Sequence, residues 1–278
     1  MEGRGLLVTT LTALATGSFL TASDNSFTPP SLDEFFPDPI LFAGTPFEIN
    51  RVIMVRLISV IALCTMLILY AKRAKLVPGR VQSAVELLLD FSKKSIGEEL
   101  LGDKAKPYQP LLATIFLGIL FMNLTGAIPG LQIAGTALVG MPMIYALVAY
   151  VAFIAAGIKE RGLGRFFKGQ LFPAGVPKFI YPLMTPIEIL STFVLRPVTL
   201  ALRLLANMVS GHLVLVLCFV GANALYFSVG GLSGFAFGSL TLLGGIAFTF
   251  FEIFIACLQA YIFALLSAAY ISLSISEH

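Results

Sequence analysis

Four charged residues interrupt the two longest apolar stretches of this 278-residue chain: Glu188, Arg196, Arg203 and Glu252, with the titratable His212 among them. An arginine at the centre of a bilayer costs roughly 2.5–3.5 kcal/mol on insertion scales, so each such group calls for a chemical reason. At about 100° per residue, Arg196, Thr199, Arg203, Asn207 and Ser210 fall within about 40° of one line along a helix. A polar stripe set among leucine and valine must face protein or water, because lipid leaves its donors unpaired. Arg203 is the centre of that stripe. Its guanidinium stays protonated under physiological conditions, so it can act as a fixed positive charge against a mobile carboxylate. The alternative is a snorkelling or ion-paired arginine that only stabilises packing. That alternative weighs more for Arg196, which precedes the prospective helix break at Pro197.

His212 lies nine residues, or about 900°, beyond Arg203 and therefore faces away from the arginine stripe. An imidazole titrates near neutral pH and suits a proton relay, although a lone histidine among apolar residues also serves packing. In the last apolar stretch Glu252, Gln259 and Tyr270 share one face, with Ala256 and Phe263 between them. Glu252 is the only acid between Glu188 and Glu277. A carboxyl buried there either exchanges protons or is satisfied by a neighbouring helix. Gln259 cannot titrate, but its amide can hydrogen-bond a facing arginine. Glu188, close to Pro186, is placed at the edge of the hydrocarbon. The sequence contains no Walker-type glycine-lysine loop, zinc-like cluster or credible nucleophile triad, so nucleotide hydrolysis and covalent chemistry by this chain alone are excluded, and neither metal nor cofactor is expected.

The elements that must hold these residues follow from composition. The chain is 58% hydrophobic and 12% charged, with a mean hydropathy of +0.93. A soluble domain has about 25% charged residues and needs a polar shell that long stretches here do not supply. The basic residues are scattered through loops, which argues against nucleic acid. Cys64, Cys218 and Cys257 lack the paired spacing of a zinc or redox site and read as small buried residues.

The expected fold is an all-α polytopic membrane protein with about five membrane-embedded helices and one amphipathic surface helix. Residues 1–50 form an extra-membrane N-terminal segment: 6–20 is too short and hydroxylated to span, and 24–50 is proline-rich and acidic. Residues 51–278 form one membrane domain, with a span at 52–71 in which Arg56 can snorkel, an amphipathic helix at 81–103 and a hairpin over 109–157. A basic loop at 158–178 follows. Two overlong segments, 179–222 and 238–275, are joined by a glycine-rich connection at 223–237 and are expected to lie as a steeply tilted hairpin. The 72–106 segment carries eight basic residues and the 158–178 loop five, against one base and six acids in residues 1–50. The positive-inside rule therefore puts the N-terminus outside and, after five spans, the C-terminus inside.

At this point the residues resemble a family. TLALRLLANMVSGHLVLVL at 199–217 is similar to the arginine-bearing helix of subunit a of the F-type ATP synthases, and FEIFIACLQAYIFALLSAAYISLSISEH at 251–278 is similar to that subunit's last helix. Weaker likeness extends to PFEINR at 46–51, NLTGAIPG at 123–130 and TPIEILS at 185–191. The resemblance implies that Arg203 is the stator arginine, Asn207 its polar companion and Gln259 its partner on the last helix. It implies that His212 and Glu252 line the outer aqueous path, as in the mitochondrial and alphaproteobacterial type, and that Glu188 lines the exit. Arg196 and Ser210 are supporting polar groups. The implied partners are a c-ring bearing rotor carboxylates, other membrane and peripheral-stalk subunits of the synthase, and lipids, in the mitochondrial inner membrane or alternatively a bacterial plasma membrane. The implied activity is that of a proton-translocating stator subunit, with two offset half-channels coupling proton flow to rotation of a ring against which the last two helices lie. Eight residues separate Glu188 from Arg196, one more than the resemblance leads one to expect, so a bulge is expected between them.

The competing reading is a secondary transporter or channel acting alone, with Arg203 binding an anionic substrate at the midplane. Such folds usually carry repeated halves, and no convincing internal repeat is present. A structural scaffold would have to explain why Arg203, Asn207, Glu252 and Gln259 all fall in two adjacent long helices.

Overall fold

A computed structural model describes residues 49–75, 77–128, 131, 133–171, 181–229 and 231–276. The expectations for residues 1–48 and for Lys178 lie outside the described residues. The fold is helical, and among the described residues five helical stretches are long and apolar enough to cross a membrane.

Helix α1 (Arg51–Arg73) starts at Asn50, whose Oδ1 accepts the Ile53 N–H at 2.9 Å, and closes on Lys72 and Arg73, which complement the negative end of its dipole. Helix α2 (Arg80–Ser92) runs on through a π-helical stretch, Lys93–Glu98, and a single turn, Glu99–Leu101, burying Val85, Ser92, Ile96 and Leu101. Its opposite side carries Lys93, Lys94, Asp90 and Glu98 in exposed ion pairs, as a helix lying at an interface requires. Helices α3 (Gln109–Leu124) and α4 (Gly140–Arg161) form the hairpin. α3 is the most enclosed of the candidate spans.

Within the expected basic loop the chain forms a further helix, α5 (Leu163–Leu171), pinned by the buried ring of Phe166 against Phe153 at 5.6 Å. Helix α6 (Tyr181–Ile189) passes through a π-helical turn, Leu190–Leu195, into α7 (Arg196–Ala224), and a second π-helical turn, Leu225–Val229, leads towards α8 (Gly231–Ile275). α8 is the centre of the bundle, packing along α7, α3 and α4, while α1 rests on α3.

The glycine-rich stretch 223–237 is not the open connection expected. α8 begins at Gly231, with φ 66°, and Gly234 and Gly238 are helical, so the corner is confined to a few residues. Glycine weakens a helix in water by about 0.5–1 kcal/mol per residue, but in hydrocarbon a non-helical backbone strands its polar groups at a greater cost. Gly238 also admits the Tyr226 ring, whose hydroxyl lies 2.9 Å from Ser239 Oγ. Each of the two last candidate spans covers 45 residues. At 1.5 Å per residue that is roughly 68 Å, so either must lean about 60° from the bilayer normal to stay within roughly 30 Å of hydrocarbon.

Three contacts sort the loops by side. Lys104 Nζ lies 3.6 Å from Glu160, bringing the two basic segments together at one end. At the other end Arg51 Nη2 donates to Leu131 O at 2.9 Å and Arg56 Nε to Gly135 O at 2.8 Å. Arg56 thus engages the hairpin connection rather than extending towards water. The cysteines depart from expectation too: Cys64 and Cys257 are exposed and Cys218 is half-buried. On a helix facing lipid, apolar residues belong on the outside.

Candidate functional site

The polar residues gather along the seam between α7 and α8, at three levels. In the middle, Asn207 Nδ2 donates to Gln259 Oε1 at 2.8 Å, tying the two helices together. Gln259 is 2% exposed, and its Nε2 is buried without a hydrogen-bond partner. Its observed partner is therefore Asn207, one turn beyond Arg203. Arg203 itself is exposed and has no hydrogen bond or ion pair among the described residues. On the same outward stripe Thr199 and Ser210 are exposed, and their hydroxyls return to the backbone at Leu195 O and Asn207 O. Of the stripe drawn from the sequence, Thr199, Arg203 and Ser210 face out of this chain, whereas Asn207 and Arg196 are engaged within it. No acid among the described residues meets Arg203.

The second level lies towards the 131–135 connection. Glu252 and His212 are both buried, at 4% and 7% exposure. Glu252 packs closely on Gly211, where a Cβ would stand 3.1 Å from its Oε1, and lies beside Gly126, where one would stand 3.6 Å from it. Gly211 belongs to α7 and Gly126 to the short turn Thr125–Ala127 that ends α3, so the carboxyl is held where three elements meet. Its Oε2 has no hydrogen-bond partner among the described residues. His212 directly follows Gly211 and is turned from the Arg203 stripe, as the helical arithmetic required. Beside this level, Thr136 Oγ1 donates to Asn123 Oδ1, and Asn123 Nδ2 is buried and unpaired.

The third level is at the opposite end. Glu188 is half-buried and accepts the Thr192 hydroxyl at 3.2 Å. The expected bulge is present as the π-helical turn Leu190–Leu195. A π turn takes up one extra residue, so the eight-residue interval acts as seven α-helical residues, about 700°, and Glu188 returns to within about 20° of the Arg196 face. Arg196 has no ion pair among the described residues: its guanidinium carbon stands 5.5 Å from the centre of the Tyr270 ring and 6.0 Å from that of Phe153. Its Nη1 is buried without a hydrogen-bond partner among them, and the group borders a small recess shared with Thr192.

The structure thus groups His212 with Glu252 and Asn207 with Gln259, sets Glu188 and Arg196 apart at the far end, and leaves Arg203 facing outwards between them. Three contributors escaped the sequence reading: Gly211, which makes room for Glu252, Gly126, which lies beside it, and Thr192, which serves Glu188. A glycine in the middle of an apolar helix, directly before His212, was the available signal of close approach.

Fold and site together define a polytopic helical membrane protein with titratable and charged groups spaced along one helix seam. The ATP synthase A chain family matches residues 52–272. The chain is 41% identical over 264 residues to ATP synthase subunit a of Rhodococcus erythropolis, covering 94% of this chain and 96% of that one. It is 36% identical to the subunit a of Parafrankia sp. over 95% of this chain and 90% of that one, and 39% identical to that of Pseudarthrobacter chlorophenolicus over 91% and 95%. The chain belongs to the ATP synthase subunit a family. The expectation of a mitochondrial or alphaproteobacterial type is corrected by these relatives, which are bacterial and of other lineages. A histidine and a glutamate at two positions carried too little information to fix a lineage that likeness along the whole chain does resolve.

Proposed function

We propose that this chain is the proton-translocating stator subunit of a bacterial rotary ATP synthase in the plasma membrane, with residues 51–278 acting as one membrane domain. Protons pass from the outer side by way of His212 and Glu252 to a carboxylate on a c-ring and leave by way of Glu188. In this reading the N-terminus lies outside and the C-terminus inside, supported by the excess of basic residues in the segments that meet at Lys104 and Glu160. Arg203 separates the two half-channels: it favours the deprotonated rotor carboxylate as it passes and blocks direct leakage between them. Asn207 and Gln259 keep the helix seam closed behind it, and Ser210 and Arg196 support the polar stripe.

The observation that carries this reading is the outward turn of Arg203. A guanidinium among apolar residues, without a partner among the described residues and facing away from Glu252, suits an acid that another subunit brings to it. The test replaces Arg203 with alanine in the intact complex and measures ATP synthesis and ATP-driven proton pumping in membrane vesicles. Loss of both, with the complex still assembled, is the expected result. Coupled synthesis at the unmodified rate would refute the assignment.

A further inference from the structure

Arg196 raises a separate question, because it is a second permanent charge on the same stripe, seven residues or roughly 10 Å along the helix from Arg203. A half-buried guanidinium is ordinarily met by a carboxylate, yet Glu188, two turns away, is bonded instead to Thr192. Arg196 instead meets two aromatic rings from different helices, Phe153 of α4 and Tyr270 of α8, both within reach of a cation–π contact. Such contacts hold the group in place without neutralising it. Thr192, the residue between Arg196 and Glu188, lines the recess below the guanidinium and donates its hydroxyl to Glu188. The π-helical turn brings all three onto one face.

We propose that Phe153 and Tyr270 are positioning residues that hold Arg196 as a fixed, unneutralised charge facing the Thr192–Glu188 pair, where it assists proton release through Glu188. The inference rests on the reading of Glu188 as lining the exit. A carboxylate partner in place of the rings would cancel the field of Arg196 at Glu188, whereas the electron-rich ring faces leave most of it intact while restricting the side chain. The second arginine thereby differs from the first in kind: Arg203 is free to meet a moving partner, and Arg196 is kept from doing so.

The experiment measures ATP-driven proton pumping by the assembled synthase in inverted vesicles, with c-ring co-purification as the check on assembly. Tyr270→Leu and Phe153→Leu are expected to lower pumping about threefold to tenfold each, and Tyr270→Phe and Phe153→Tyr, which keep a ring, to stay within about twofold of the unmodified protein. The deciding measurement combines each leucine variant with Arg196→Gln. If the rings act through Arg196, the leucine substitutions cost less than about twofold further in that background. Full additivity, or equal losses with and without a ring, would overturn the proposal and reduce the rings to packing. Preserved pumping in Arg196→Gln alone would also overturn it, while leaving the Arg203 reading standing, since that depends on the separate alanine test.

Discussion

Glu188 and Glu252 stand roughly 35 Å apart along the seam, counting 23 residues of helix from Glu188 to the Gly211 that touches Glu252, and the protein treats the two carboxyls differently. Glu188 is half-buried, bonded to a hydroxyl on its own helix and set on a π-helical turn. Glu252 is buried where three elements meet, beside two glycines, with one oxygen lacking a partner among the described residues. The first has a local partner and the second depends on its enclosure. Burial without full hydrogen bonding is costly, so the two carboxyls differ in how far their surroundings satisfy them. The contrast predicts that the two ends of the path respond unequally to substitution.

The largest effect is expected for Glu252→Gln, which keeps the shape and removes proton exchange: ATP-driven acidification of vesicles should fall at least about 100-fold, the scale on which a positioned acid or base contributes. Activity within about twofold of the unmodified complex would remove Glu252 from the path. Next is Gly211→Ala. Its new methyl would stand 3.1 Å from Glu252 Oε1, so the carboxyl must shift, and a drop in pumping of about threefold to tenfold is expected with assembly intact. Glu188→Gln should cost about fivefold, less than its counterpart, because a half-buried group has water as an alternative relay. Equal losses for the two glutamates would break the comparison. The smallest transport change, about twofold, is expected for Thr192→Val, which removes one neutral hydrogen bond to Glu188. Asn207→Ala tests the closed seam between the two ends: it leaves Gln259 with both amide ends unpaired, and a loss of about 1–3 kcal/mol in the stability of the subunit to thermal or detergent extraction is expected.

Much of this arrangement is legible in the amino-acid sequence. The stripe through Arg203 and the face shared by Glu252, Gln259 and Phe263 follow from helical phase alone, and the count between Glu188 and Arg196 is enough to expect a bulge. The opposite treatment of Arg196 and Arg203 is not legible there. They share a phase on one helix, and what separates them is which rings α4 and α8 bring to that height, a matter of packing between segments distant in sequence. The same limit applies to Gly126, whose role depends on the end of α3 reaching Glu252. The start of α8 at Gly231 escapes the sequence for another reason: turn propensities learned in water undervalue glycine as a helix former where there is no water to satisfy an open backbone.

The π-helical turn at Leu190–Leu195 has one more consequence. An added residue in a regular helix rotates everything beyond it by about 100°, which on this seam would swing Glu188 away from Arg196. Confined to a single wide turn, the addition leaves both sides facing as before. The turn thus works as a spacer in the register of the chain: the segment leading into the membrane can change its length by one residue while the order of charges along the seam is preserved.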